Sequence, residues 1–336
     1  MGCGRDILLG RQEGWVNIIE RITVYLSIAG LSSEERGGMN NAIVGSSGHK
    51  LPGCHMPTPP PPARRHYEAF TPVQQTLIIP LVARALGGGL YPGHACGDEQ
   101  ASRLLRTLEI DGQAYLADRP TVLNVLWRTR LIRECAQAFF AKHPKAWGIN
   151  LGCGLTDYFQ WLNNGQNTWL DADLAEVMAL RKTLLPAQMP RLRAGTADLQ
   201  QPGWWQRLRL PKRATAQPVF LLIEGVLLYF QPDEVRTVLQ EFAEAAPAGS
   251  VLVLDTMARC AVGQAQWHAS VGRTQAQFRW GIGQMQELTA CHPRLQLRQS
   301  HSVAPSHGWM GVAMEAMWNP WGHSAPLYGL AELVLE

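Results

Sequence analysis

The run Ala146-Trp147-Gly148-Ile149-Asn150-Leu151 is short and mostly apolar, and it stops at Gly152-Cys153-Gly154. Such a run reads as a buried strand feeding a glycine turn. From that point strand-like and helix-like segments alternate. Strands are expected at 168–172, 192–195, 218–224 and 250–256, and helices at 155–163, 174–185, 203–209 and 232–246. Alternation at this spacing builds βαβ units, hence a parallel sheet with helices on both faces. The run Ser250-Val-Leu-Val-Leu-Asp255 is nearly all apolar, as a strand covered on both sides should be.

Upstream, 71–86, 99–109 and 120–142 read as helices, the last with Pro120 near its start. Downstream, 294–301 and 308–318 read as two strands of an antiparallel edge pair. Residues 1–65 differ in kind. Gly, Ser, Asn and Pro dominate Ser32–Pro62, which ends in Pro57-Thr58-Pro59-Pro60-Pro61-Pro62. That composition gains too little apolar burial to offset ordering entropy, so 1–65 is expected to be disordered. It is equally compatible with translation starting at Met56. The folded domain is then 66–336, with N-terminal helices over 71–142 and an insertion at about 257–290 capping the site.

The chain has 336 residues, 46% of them hydrophobic and 17% charged, with a net charge of +3. The small basic excess argues against a dedicated nucleic-acid binder. The longest apolar run, Val219–Phe230, contains Glu224 and is too short to span a bilayer. The seven cysteines are scattered and form no Cys-x-x-Cys, which argues against a zinc ribbon or a disulfide framework. A cytoplasmic protein without a metal, a membrane or a nucleic-acid partner is the expectation.

Four features could carry chemistry. Gly152 and Gly154 allow a tight turn and let a ligand lie against backbone. The dinucleotide pattern is not completed, because Asp157 stands where its last glycine belongs. About 20 residues on, Asp171-Ala172-Asp173-Leu174 ends the second strand, where an acid accepts from ribose hydroxyls. Asp173 also suits a helix N-cap. Ala197-Asp198-Leu199 follows the third strand, where an Asp could receive an adenine amine or simply be solvated. Glu224, in Leu222-Ile223-Glu224-Gly225-Val226-Leu227-Leu228-Tyr229, is costly inside an apolar run unless it is paired or poised at a strand end. The stretch Trp204–Arg213 reads as an amphipathic helix with a basic face. Trp267, Phe278, Trp280, Trp309 and Trp318 read as core or as an apolar pocket lining.

Together these motifs resemble the leucine carboxyl methyltransferase superfamily over residues 71–318, and its tetracenomycin-type polyketide O-methyltransferase branch more closely. The resemblance is carried by Thr76-Leu77-Ile78-Ile79-Pro80-Leu81-Val82-Ala83-Arg84-Ala85, Asp98, Arg128-Thr129-Arg130, Asn150-Leu151-Gly152-Cys153-Gly154-Leu155, Asp171–Leu174 and Glu224–Tyr229. It implies a class I methyltransferase (Rossmann-like α/β) fold: seven mostly parallel strands, the last antiparallel, helices on both faces and an added helical cap. It also implies S-adenosylmethionine as cofactor. Arg128, assisted by Arg84, would pair with the methionine carboxylate and Glu224 would face its amine. Gly152 and Gly154 would line methionine and ribose, Asp173 would hold the ribose hydroxyls, and Asp198 and Leu199 would bracket adenine. The acceptor would be a carboxylate or hydroxyl of a small molecule. The alternatives are a protein C-terminal carboxylate and a nucleotide-binding protein without catalysis. Tyr229 is the candidate catalytic residue for acceptor positioning, with His268, His292 and His307 as candidate bases. Two departures stand out. Leu155-Thr156-Asp157-Tyr158 replaces the family's Leu-Asp-Thr-Arg, and Ala175 replaces a proline.

Overall fold

The computed structural model describes residues 75–185, 189–274, 276–319 and 325–336. The expectations for 1–65 lie outside these residues. Six helices of two turns or more are described: α1 (Ile78–Leu86), α2 (Glu99–Thr107), α3 (Arg119–Lys142), α4 (Ala175–Leu184), α5 (Pro232–Ala245) and α6 (Gly308–Trp318). The strands are β1 (Trp147–Leu151), β2 (Thr168–Asp173), β3 (Leu192–Thr196), β4 (Phe220–Ile223), β5 (Val251–Met257), β6 (Leu295–Ser302) and β7 (Tyr328–Leu335). They form one seven-stranded sheet in the order β3-β2-β1-β4-β5-β7-β6. The pairs β1/β2, β1/β4, β2/β3 and β4/β5 are parallel, and β7 runs antiparallel to both neighbours.

Local chemistry sets the helix starts. The Asp98 side chain accepts from Ala101 N and that of Asp118 from Thr121 N, so α2 and α3 each begin on an Asp cap. Pro232 and a Gln231–Glu234 capping box start α5. The central strands β1, β4 and β5 are buried throughout, whereas β3 at the edge is largely exposed. One face of the sheet carries Phe139, Phe140, Phe159, Trp169 and Phe220 in mutual ring contact. Gly148 is required there, because a Cβ would lie 2.1 Å from the Trp169 ring. The strand order reverses between β1 and β4, and ligands bind at the carboxyl ends of strands beside such a switch point.

The sequence expectations fail in three places. The segment 308–318 is helix α6, and the partner of β6 is β7, an apolar run not read from the sequence. The reason is visible in Val312-Ala-Met-Glu-Ala-Met, which favours helix and lacks strand alternation. The expected helix at 155–163 is one turn, 159–162. The stretch Trp204–Arg213 breaks into turns at 204–207 and 212–215. Pro211 and a left-handed Arg209 (φ 49°) interrupt it, while Trp204 and Trp205 are buried. The insertion after β5 consists of short 3₁₀ turns and one helical turn before β6. Among the described residues no helix is long and apolar enough to cross a membrane.

Candidate functional site

The carboxyl ends of β1, β2 and β4 surround one cavity of about 700 Å³. Gly152 and Gly154 take left-handed φ values of 66° and 51° as the chain turns out of β1. Asp173, the last residue of β2, faces this turn. Its Oδ2 accepts from Gly154 N and its Oδ1 from Leu174 N, both at 2.7 Å. Burial raises the Asp173 carboxyl, and those two N–H groups oppose the shift.

Arg181 holds the loop from behind. It donates to Gly154 O at 2.8 Å, Thr156 O at 2.7 Å and Asp171 Oδ2 at 2.6 Å. Asp171 also accepts from Asn150 and from the Trp169 indole, so it is a structural anchor. The departure at Thr156-Asp157-Tyr158 therefore leaves a loop fixed by an arginine from α4. Sequence reasoning missed Arg181. Its signal was a lone Arg on the stripe Val177, Leu180, Arg181, Leu184 that α4 buries.

A buried charged group closes the other end. Arg128, on α3, places Nη2 2.7 Å from Glu224 Oε1, an ionic contact without hydrogen-bond alignment, and Nη1 3.2 Å from Asp255 Oδ2. Tyr328 OH contacts the same guanidinium and donates to Asp255 Oδ2 at 2.8 Å. Tyr158 OH donates to Glu224 Oε2 at 2.8 Å, and Gly225 N donates to Asp255 Oδ1. Burial pushes Glu224 up, but the Arg128 and Arg84 charges and the Tyr158 hydrogen bond hold it below the usual carboxylate range. Burial wins at Asp255, whose carboxyl is raised despite Arg128. Asp255, Tyr158 and Tyr328 were not singled out in the sequence. Asp255 closes an apolar strand run as Glu224 does, and that shared pattern was its signal.

Arg128, Gly152, Gly154, Asp173, Asp198, Leu199, Glu224 and Tyr229 all line the cavity. Arg84 does not. It lies behind the wall, its Nε 3.1 Å from Asp98 Oδ2. Asp198 accepts from Gln200 N and the Gln201 amide, so its carboxylate also shapes its own turn. Tyr229 stacks on Phe278, ring centroids 5.9 Å apart. Burial pushes its phenol up to about 12, so at neutral pH Tyr229 is a protonated wall residue rather than a base.

His268 lines the cavity, whereas His292 caps Arg294 N and His307 sits behind Asn124. Phe278 lines it and Trp280 packs in the core. Trp309 is 79% exposed, and the Trp318 indole donates to Ala325 O, so neither belongs to the pocket. Trp267 lies outside the described side chains. Away from the cavity, Cys135, His301 and Glu332 bring ligand atoms within 4.8 Å of one another. Glu332 pairs with Arg298, and burial pushes the Cys135 thiol up to about 12, so the thiol is protonated at neutral pH.

Comparison with known proteins adds to this geometry. Residues 82–243 match the leucine carboxyl methyltransferase family. The matched span contains the Arg128 helix, the glycine turn, Asp173 and Glu224. Over that span the chain is similar to the leucine carboxyl methyltransferase family. Among its relatives is the tetracenomycin polyketide synthesis O-methyltransferase TcmP of Streptomyces glaucescens. It is 27% identical over 258 residues, 74% of this chain and 93% of that protein. Another is the S-adenosyl-L-methionine-dependent methyltransferase dpfgK of Gibberella zeae, 27% identical over 187 residues, 51% of this chain and 60% of that protein. The crystal structure of a DUF574-family protein from Streptomyces avermitilis aligns over 75% of this chain and 98% of its own. Its identity is 13% and its TM-score 0.46, so the class I methyltransferase fold rests here on the strand order itself.

The residues present fit the cofactor that leucine carboxyl methyltransferases imply. Arg128 Nε is buried without a hydrogen-bond partner, and Glu224 Oε1 has the Arg128 guanidinium as its neighbour at 2.7 Å. A ligand carboxylate would satisfy Arg128 Nε, and an ammonium on the same carbon would lie beside the Glu224 carboxylate. The cavity also carries the carboxylates of Asp173, Glu176, Asp198 and Glu224 against the guanidinium groups of Arg128 and Arg279. Such an excess suits a ligand with net positive charge.

Proposed function

We propose that this S-adenosylmethionine-dependent methyltransferase acts on an oxygen atom of a small aromatic acceptor, of the kind found in polyketide-type metabolites. The observation that carries this reading is the single cavity that joins the charged Arg128–Glu224 end to the apolar wall of Tyr229, Phe230, Val271, Ala276 and Phe278. When bound, the cofactor supplies an electrophilic methyl group on a sulfonium. The protein's part is then alignment and exclusion of water. Arg128 and Glu224 would hold the amino-acid end, Asp173 the ribose hydroxyls, and Asp198 with Leu199 the adenine. The aromatic wall would set the plane of the acceptor.

A carboxylate acceptor is ionised at neutral pH and needs no base. A phenol must first give up its proton to solvent, and neighbouring donors favour this by stabilising the phenolate. Tyr229 would position the acceptor as a neutral donor. The relatedness to TcmP, a polyketide O-methyltransferase by name, supports the small-molecule reading.

The test is incubation of the full chain with trideuteromethyl S-adenosylmethionine and a panel of aryl carboxylic acids, phenols and peptides with free C-termini. The proposal expects label on an aromatic ester or ether. Label on peptide carboxylates alone would overturn it. Cofactor binding without label on any acceptor would favour a binding protein instead.

A further inference from the structure

Helix α3 turns one stripe, Thr121, Asn124, Val125 and Arg128, toward the cavity. Seven residues separate its ends, roughly 10 Å at the helical rise. Arg128 sits at the charged end, so Thr121 and Asn124 face the apolar part. Each is held by a histidine from a different insertion. His268, between β5 and β6, places Nε2 3.2 Å from Thr121 Oγ1. His307, between β6 and β7, places Nε2 2.7 Å from Asn124 Oδ1.

The protonation of these histidines follows from their surroundings. Burial lowers the pKa of both, and at His268 Asp118 opposes that shift only in part. His268 Nδ1 receives Ser270 N at 3.3 Å and Val271 N at 3.2 Å, so it accepts. Its proton therefore sits on Nε2 and is donated to Thr121 Oγ1. The Asp118 carboxylate, 3.7 Å from Nδ1, is occupied by Ser270 Oγ at 2.7 Å and by Thr121 N. His268 is thus a donor toward the cavity, not a base. The Thr121 hydroxyl, having accepted, has its own proton to give. Asn124, with its oxygen facing His307, has its amide N–H groups to give.

We infer that Thr121 and Asn124 form a two-donor face for the acceptor, read by an aromatic ring bearing two neighbouring oxygens, one of them anionic. An aryl carboxylate and a carbonyl-flanked phenolate share that chemistry. This inference rests on the proposed small-molecule O-methyltransferase reading. The donors stabilise an oxygen that enters the cavity already ionised, its proton given up to solvent, so no general base is needed at the site. Thr121 and Asn124 touch the acceptor, whereas His268 and His307 are positioning residues.

The test is calorimetry on the full chain saturated with S-adenosylhomocysteine. The probes are 1-hydroxy-2-naphthoate, 1-hydroxy-2-acetonaphthone and, with one oxygen only, 1-naphthol. At least one two-oxygen probe should bind tenfold or more tighter than 1-naphthol, and which one does separates carboxylate from phenolate. Thr121→Val and Asn124→Asp should each lose roughly ten- to a hundredfold of that affinity, the loss expected for one charge-assisted hydrogen bond. Asn124→Asp keeps the oxygen facing His307 and replaces the donor. Thr121→Ser should restore wild-type binding, and the affinity for S-adenosylhomocysteine should stay constant across the series. Equal binding of all three probes, no binding of any, unchanged affinity in the variants, or a parallel fall in S-adenosylhomocysteine affinity would each overturn the inference. Failure of wild-type protein to bind S-adenosylhomocysteine would instead strike the cofactor assignment.

Discussion

Replacing Arg128 by Met tests the charged end of the cavity most severely. Arg128 is the only cation within 4 Å of Glu224 and Asp255 among the described ion pairs, and both carboxylates are buried. Breaking a buried pair by removing one partner costs about 3–5 kcal/mol, because a charge is left uncompensated. For a domain of this size that lowers Tm by roughly 6–20 °C.

The pH dependence has a definite sign. In the variant both acids would have folded-state pKa values above their unfolded ones. Their stabilising contribution is then present below the unfolded pKa and lost as pH rises through the folded one. In the wild type, Glu224 is depressed, so its contribution is present above the unfolded pKa and lost as pH falls. Both effects narrow the gap in acid. Thermal melts followed by circular dichroism at about pH 5 and about pH 8 should show a deficit that grows with pH. Adding Glu224→Gln and Asp255→Asn should recover most of it at the higher pH. A deficit under about 1 kcal/mol, or one independent of pH, would refute the reasoning.

Three further outcomes are expected. Asp173→Ala should weaken S-adenosylmethionine binding roughly tenfold or more in a titration, since the carboxylate also orders Gly154 N and Leu174 N; unchanged affinity in a folded variant would remove the ribose assignment. Asp157 is raised to about 6 by burial and by Asp171, so its contribution is full below about pH 3.8 and lost as pH rises to about 6. Asp157→Asn, which keeps the acceptor for Gln160 N, should therefore be the more stable protein above pH 6, by up to roughly 3 kcal/mol in chemical denaturation. Gly152→Ala should cost about 1–3 kcal/mol in the same assay, because φ is 66° and the new Cβ would lie 2.2 Å from Val226 Cγ2.

Much of the sheet was legible because buried parallel strands are continuous apolar runs and their ligands sit at their ends. Gly152, Asp173 and Glu224 each follow such a run, so the strand that positions each residue could be read with it. What escaped were contacts made across long sequence separation. Arg181 reaches the glycine loop 25 to 27 residues back, and Tyr328 meets Arg128 across 200. No local pattern encodes either. The strand partner of β6 was missed for the same reason, although the helix at 308–318 was legible locally. The run Tyr328–Leu335 is apolar enough for a central strand, but only its burial between β5 and β6 makes it one. Arg84 was placed at the ligand because it lies in a matching motif, whereas its geometry puts it behind the wall with Asp98.

The measurement that bears most directly on the whole account is isothermal titration of the full chain with S-adenosylmethionine and S-adenosylhomocysteine, with NAD as control. The account predicts saturable one-site binding of the first two and none of NAD. It also predicts weaker S-adenosylmethionine binding in Arg128→Met and Asp173→Ala. A folded protein that binds neither sulfur ligand, or binds NAD equally well, would contradict it.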